Sequence, residues 1–276
     1  MPIAEDLGVA YEIYYTHQMP TQTPADPLRA LIKLPYRFVK LAAEALLGLP
    51  REREHLRSMC LEQTAPGRLL EVGSGQGEFL ARMRARGWQV QGIDPDPRAA
   101  HIARERYGIE VAVGAMESAR YAPGSFDAIT MNHVIEHVFD PVGLLKQCYE
   151  LLAENGRMVI VTPNADSLGH GLLGRDWRGL EPPRHLHIFS PRTMRRAVDC
   201  AGLEHVAIRT SAANADIILD ASLRLSHTPE GARLGRGKPS IRDRARLMQL
   251  QLREARALRA KPDLGEELVM VATKLA

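Results

Sequence analysis

The chain has 276 residues, 45% of them hydrophobic and 25% charged, with a net charge of +3; that suffices for one substantial α/β domain with additions at both ends, and it argues against a nucleic-acid partner. Cys60, Cys148 and Cys200 form no C-x-x-C pair, which argues against a disulfide framework or a cysteine zinc site, and 5% aromatics leave little for stacking on single-stranded nucleic acid. No apolar leader and no apolar run of about 18 residues is found, so a cytoplasmic chain without a transmembrane segment is expected.

Residues 1–25 are polar and irregular. Residues 28–48 carry apolar and basic residues at helical spacing, interrupted by Pro35. Such a segment suits a lid over a pocket, a contact between two copies in a homodimer, or a helix on a membrane surface; its sparse basic face favours a lid or packing role. A further helix is expected over 51–63. From residue 68 the pattern alternates. Strands are predicted at 68–73, 89–93, 109–113, 126–132, 157–162, 203–210 and 267–274. Helices are predicted at 76–86, 96–107, 141–153 and 191–201, with Asp96-Pro97, Asp140-Pro141 and Ser190-Pro191 as helix starts and Asn155-Gly156 as a helix stop. This rhythm predicts a doubly wound, mostly parallel sheet with helices on both faces. Residues 211–265 break it: 216–225 and 241–258 read as helices, the second rich in arginine, around a glycine-rich basic stretch at 231–239. The expected organisation is an N-terminal helical lid segment (1–64), a core (65–210), a helical insertion (211–265) and a final core strand (266–276).

The most informative stretch is Glu71-Val72-Gly73-Ser74-Gly75-Gln76-Gly77, followed after a helical pattern by Gln89-Val90-Gln91-Gly92-Ile93-Asp94-Pro95. A buried strand breaks into glycines that allow a sharp turn and a close approach to a ligand. A second strand ends in an acid placed to take both hydroxyls of a ribose. The spacing is G-x-G-x-G, unlike the dinucleotide pattern G-x-G-x-x-G. Glu71 suits a ligand bearing an ammonium group and would repel a pyrophosphate.

E-x-G-x-G-x-G resembles motif I of the class I S-adenosylmethionine (SAM) dependent methyltransferases, and Asp94 resembles their ribose-binding acid. The likeness covers roughly residues 65–210. It implies a seven-stranded Rossmann-like sheet whose last strand is inserted antiparallel, SAM as cofactor and S-adenosylhomocysteine as product. By this resemblance the cofactor residues are Glu71, Gly73, Ser74, Gly75, Gly77, Asp94, Pro95, Met116, Glu117, Asn132 and His133. Met116 packs on the adenine and Glu117 accepts from its amine, or else stands as a solvated loop acid. The stretch after the fourth strand, Asn132-His133-Val134-Ile135-Glu136-His137, contains the zinc motif H-x-x-E-H. That motif needs mid-helix placement, whereas this string follows directly from a strand and fits the methyltransferase pattern H-V-x-E-H-x-x-D-P. No metal is therefore expected, and His137 is expected to pack or support. The [DN]-P-P-[YF] signature of methyltransferases acting on base amino groups is absent.

Residues 162–190 form a long loop, aromatic, basic and histidine-bearing, expected to be ordered. It resembles the acceptor loop of the ubiquinone-biosynthesis-like methyltransferases, with their His-x-x-x-Phe-Ser ending at His185 to Ser190. Methyl transfer to a hydroxyl needs alignment, exclusion of water and a proton acceptor. His185 is the first candidate base, with His187 and His133 in reserve. Trp177, Arg178 and Arg184 suit a clamp on an anionic or sugar-like acceptor, with local core filling the alternative for Trp177. The expected function is methyl transfer from SAM to a hydroxyl of a small-molecule or glycan-like acceptor. Set against it are a non-catalytic SAM-binding or interaction protein, an NAD-dependent oxidoreductase and, last, a zinc hydrolase.

Overall fold

A computed structural model describes residues 34–226 and 241–275. The polar segment 1–25, the first part of the 28–48 helix and the glycine-rich stretch 231–239 lie outside the described residues. Seven strands form one sheet: β1 (Arg68–Val72), β2 (Gln89–Asp94), β3 (Val111–Val113), β4 (Phe126–Asn132), β5 (Leu152–Pro163), β6 (Val206–Ser211) and β7 (Glu267–Thr273). Their order is β3-β2-β1-β4-β5-β7-β6. β1 pairs parallel with both β2 and β4, while β7 lies antiparallel between β5 and β6. This is the expected sheet, including the reversed last strand.

Alternation along each strand sorts side chains onto two faces. Leu70, Val72, Met131, Ile160 and Met270 join one core with Leu145 and Met194, which come from α5 (Pro141–Leu151) and α7 (Pro191–Ala201). Here α1 is Leu34–Leu46, α2 Leu49–Arg57, α3 Glu78–Ala85, α4 Pro97–Tyr107 and α6 Leu168–Leu173. The neighbours Leu69, Val159 and Val269 join the opposite core with Leu56 of α2, Leu80 and Met83 of α3 and Ala103 of α4. Strands buried on both faces read as apolar runs, which is why the sheet is so visible in the sequence.

The helix starts are as predicted. Asp96 accepts from the Arg98 N–H, Asp140 from the Gly143 N–H, and Ser190 with Thr193 forms a reciprocal capping box. The stop predicted at Asn155-Gly156 is wrong. α5 ends at Leu151, and Leu152 already pairs with Phe126 on β4. Asn155 adopts positive φ inside an irregular start of β5, so the Asn-Gly pair serves a strand irregularity rather than a helix end. In the insertion, α8 (Ala215–Ser226) and α9 (Ile241–Ala257) close a small third core around Leu219, Leu247 and Ala255. Lys40 and Arg53 tie α1 and α2 to Asp216 on α8. No helix among the described residues is long and apolar enough to cross a membrane.

The chain runs from β1 outward to β3, then returns to β4 on the other side of β1. Ligands bind at the carboxyl ends of the strands at such a reversal.

Candidate active site

A cavity of about 1040 Å³ opens there. On one side it is walled by backbone turns. Gly73 follows β1 with φ +71°, where any side chain would be strained and a Cβ would collide with Val134. Gly75, also at positive φ, donates its N–H to Asp94 Oδ2 at 2.8 Å, and the Asp96 N–H donates to Asp94 Oδ1 at 2.9 Å. Burial pushes the Asp94 carboxyl up, against these two hydrogen bonds. Pro95, Gly114, Met116 and Glu117 extend this wall.

Glu71 lies in an adjoining recess of about 320 Å³, with Arg57, Arg82 and Glu267, and the recess shares Asn132 and His133 with the main cavity. Glu71 Oε2 is buried without a hydrogen-bond partner. Burial raises this carboxyl well above its usual range, Arg82 opposing and Asp94 adding to the rise.

The far wall is built from side chains. His133, with φ +55°, sits between two buried acids: Nδ1 is 3.3 Å from Glu136 Oε1 and Nε2 is 3.4 Å from Glu267 Oε1. Burial opposes the charged ring, but the two carboxylates outweigh it and push His133 up to about 10. His133 is therefore an imidazolium at neutral pH. His185 behaves in the opposite way: burial lowers it, and its Nδ1 lies 2.6 Å from the Gly179 carbonyl oxygen, to which the ring donates as a neutral imidazole. Arg178 also faces the cavity and pairs with Glu181 at 2.5 Å.

Residues 45–208, more than half of the sequence, match a family described as a methyltransferase domain. The chain belongs to this methyltransferase family. The ubiquinone biosynthesis O-methyltransferase of Methylocella silvestris is 34% identical over 170 residues, which is 56% of this chain and 63% of that protein. The protein of the same name from Idiomarina loihiensis is 30% identical over 153 residues, 51% of this chain and 63% of that protein. The match thus spans less than two thirds of these relatives' length. Among solved structures, a SAM-dependent methyltransferase from Thermotoga maritima superposes with a TM-score of 0.51 at 20% identity, over 84% of this chain and 99% of that one. Haemonchus contortus phosphoethanolamine N-methyltransferase 2, in complex with S-adenosyl-L-methionine, gives 0.52 at 18% identity, over 77% and 49%. These two likenesses establish the fold.

The residues fit the SAM that the sequence implies as cofactor. The buried Glu71 carboxyl, whose Oε2 has no hydrogen-bond partner, suits an ammonium group, and at Gly75 a Cβ would meet no atom within 4 Å, so the turn there is open. Of the eleven cofactor positions expected from sequence, Gly73, Gly75, Asp94, Pro95, Met116, Glu117, Asn132 and His133 line the cavity and Glu71 the recess. Ser74 and Gly77 do not: Ser74 is buried behind the turn, close to Gly92, and Gly77 gives α3 close approach to Ala103 of α4.

The acceptor side needs more correction. Trp177 is 1% exposed, stacks on His170 and donates its Nε1–H to Glu266 Oε2 at 2.7 Å, so it fills core and clamps nothing. Arg184 is not among the cavity-lining residues, although it pairs with Glu181, which is, and His187 lies outside the lining beside Phe189. His137, expected to pack or support, lines the cavity. The sequence reading missed Glu136, Glu267 and Glu181, the acids that set the charge of the histidines. Glu136 was visible inside H-x-x-E-H, but the acid pair Glu266-Glu267 at the start of the last strand gave no such signal for Glu267.

Proposed function

We propose that this chain transfers the methyl group of SAM to a hydroxyl of a small-molecule acceptor, with His185 as the proton acceptor. One observation carries the reading: a single cavity joins the ribose-type acid Asp94 to the neutral, inward-facing imidazole of His185. The cofactor supplies a methyl group on a sulfonium centre, open to attack by an oxygen. Glu71 holds the ammonium end, Asp94 takes the ribose hydroxyls, and Met116 packs on the adenine. His133 is locked as a cation and is unsuited to be a base. His185 holds its Nδ1–H on the Gly179 carbonyl oxygen, which directs Nε2 to the acceptor's proton. Arg178, steadied by Glu181, favours an acceptor with an anionic or hydroxyl-rich group. The names of the O-methyltransferase relatives support an oxygen acceptor.

The test is calorimetry with SAM, S-adenosylhomocysteine and NAD, followed by transfer of labelled methyl from SAM to hydroxylated small molecules, aromatic and sugar-like. Heat with both S-adenosyl compounds and none with NAD is expected. Heat with NAD alone would overturn the reading.

A further inference from the structure

The recess that holds Glu71 adjoins the cavity that holds Asp94. The residues that line both are Asn132, His133 and Ile218, and His133 is the charged one among them. We propose that Glu136, His133 and Glu267 form a charge-selective seat for the cofactor's sulfur at this opening, one that prefers a cationic sulfonium to the neutral thioether of the product. The proposal deepens the methyl-transfer reading and rests on it.

The place follows from connectivity. In SAM the sulfur stands between the amino-acid end and the ribose. With the ammonium at Glu71 and the ribose hydroxyls at Asp94, the sulfur has to lie where recess and cavity join, beside His133. The charge follows from the groups around that ring. His133 Nδ1 lies 3.3 Å from Glu136 Oε1 and Nε2 lies 3.4 Å from Glu267 Oε1, so one imidazolium between two carboxylates leaves one negative charge in excess. The two acid side chains are only 1% and 5% exposed, while that of His133 is 36% exposed and open to both cavities. Each acid is also fixed from its far side. The Thr162 hydroxyl donates to Glu136 Oε2 and the Asn214 amide to Glu267 Oε2, both at 2.9 Å. These donors orient the carboxylates and add no positive charge.

The other cations lining the two cavities do not cancel the excess. Arg57 and Arg82 line the recess but are exposed, so water screens them, and Arg82 acts on Glu71. Arg178 is paired with Glu181. Excess buried charge is costly until an opposite charge arrives, and a sulfonium at the opening supplies one. Methyl transfer breaks the S–CH₃ bond and leaves its electron pair on sulfur; the carbon bonds to the acceptor oxygen, whose proton goes to His185. The cluster then faces an uncharged thioether and its attraction is lost. S-adenosylhomocysteine should therefore compete weakly with SAM.

The test is calorimetry on the full chain with SAM, S-adenosylhomocysteine and sinefungin, which carries a protonated amine on carbon in place of the sulfonium. In the unaltered protein, SAM and sinefungin are expected to bind about ten-fold more tightly than S-adenosylhomocysteine. Glu136→Gln and Glu267→Gln each remove one carboxylate and keep an acceptor for Thr162 or Asn214. At pH 6, where the remaining carboxylate keeps the His133 ring charged, each should bring the three affinities to within about two-fold of one another. Glu154→Gln, exposed at the opposite edge of the sheet, should keep the preference. Retained binding of S-adenosylhomocysteine shows that a variant is folded. Heat from none of the three compounds would overturn the methyl-transfer reading. Binding of all three with no preference in the unaltered protein, or an unchanged preference in a folded Glu136→Gln or Glu267→Gln variant, would overturn this proposal alone.

Discussion

The two halves of the cavity are built on different principles. The cofactor half is framed by backbone turns. Gly73, Gly75 and the Asp94–Asp96 turn lie close in sequence, and Asp94 is held by two N–H groups. The acceptor half is made of side chains from distant segments: His133 and Glu136 after β4, Arg178 to His185 in the loop, and Glu267 on β7. The charge of His133 is set there by two carboxylates. The difference teaches where changes act: away from the shared opening at His133, substitutions on the acceptor side should alter turnover and proton balance, and those on the cofactor side binding alone.

The largest expected effect tests that division directly. His185→Gln should lower turnover by ~10²- to 10⁴-fold, the usual range for loss of an acid-base group, with S-adenosylhomocysteine affinity unchanged by calorimetry. Equal losses in both would mean the two halves are not separable. Next comes Trp177, for which the sequence left an acceptor clamp and core filling both open and which the structure buries in the core. Trp177→Ala should destabilise the fold by about 3–5 kcal/mol, read from denaturant unfolding. An unchanged midpoint with weakened acceptor binding would return Trp177 to the clamp. On the cofactor side, Asp94→Ala should weaken SAM at least ten-fold, about 1.4 kcal/mol or more, with the folded midpoint little moved. Unchanged affinity would mean that the ribose is held elsewhere.

The same contrast explains what could be read from the sequence. Local backbone geometry is encoded locally: a positive-φ turn needs glycine, a helix start needs Asp-Pro or Ser-Pro, and a doubly buried strand needs an apolar run. The sheet and the glycine turn after β1 were therefore legible, while the reversed last strand was implied by the family resemblance alone. The state of the histidines was not, because His133 also needs Glu267 from the last strand and His185 is set first by burial. His133 reads as a candidate base until two carboxylates are seen on either side of it. Trp177 reads as clamp or core until Glu266 is seen to accept its N–H. The Asn155-Gly156 error has the same origin, since pairing with β4 overrides a local stop signal.

The smallest expected effect concerns the acids that join the two halves to the insertion. Glu254 on α9 accepts the Glu266 N–H at 2.7 Å, while its Oε2 is buried without a partner. Burial first, then the charges of Glu266 and Glu267, push Glu254 up to about 9. Glu266 is also raised by burial, although it accepts from Trp177 and from the Gly169 N–H, and Glu267 is shared between His133 and Asn214. The folded chain thus keeps a proton on Glu254 that the unfolded chain releases near the ordinary glutamate value. A raised carboxyl contributes stability that is fully present below the unfolded value and is lost as pH rises toward about 9. Glu254→Gln keeps an acceptor for the Glu266 N–H and carries no titrating proton. The variant should gain on the parent as pH rises, by on the order of 1 kcal/mol between about pH 6 and 9, measured as the difference between their thermal midpoints. His133 contributes a decline of the same sign in both proteins and cancels in that difference. Midpoints that run parallel across this range would show that Glu254 is ionised in the fold, and that its burial between α9 and β7 is relieved by a cation or water instead of a proton.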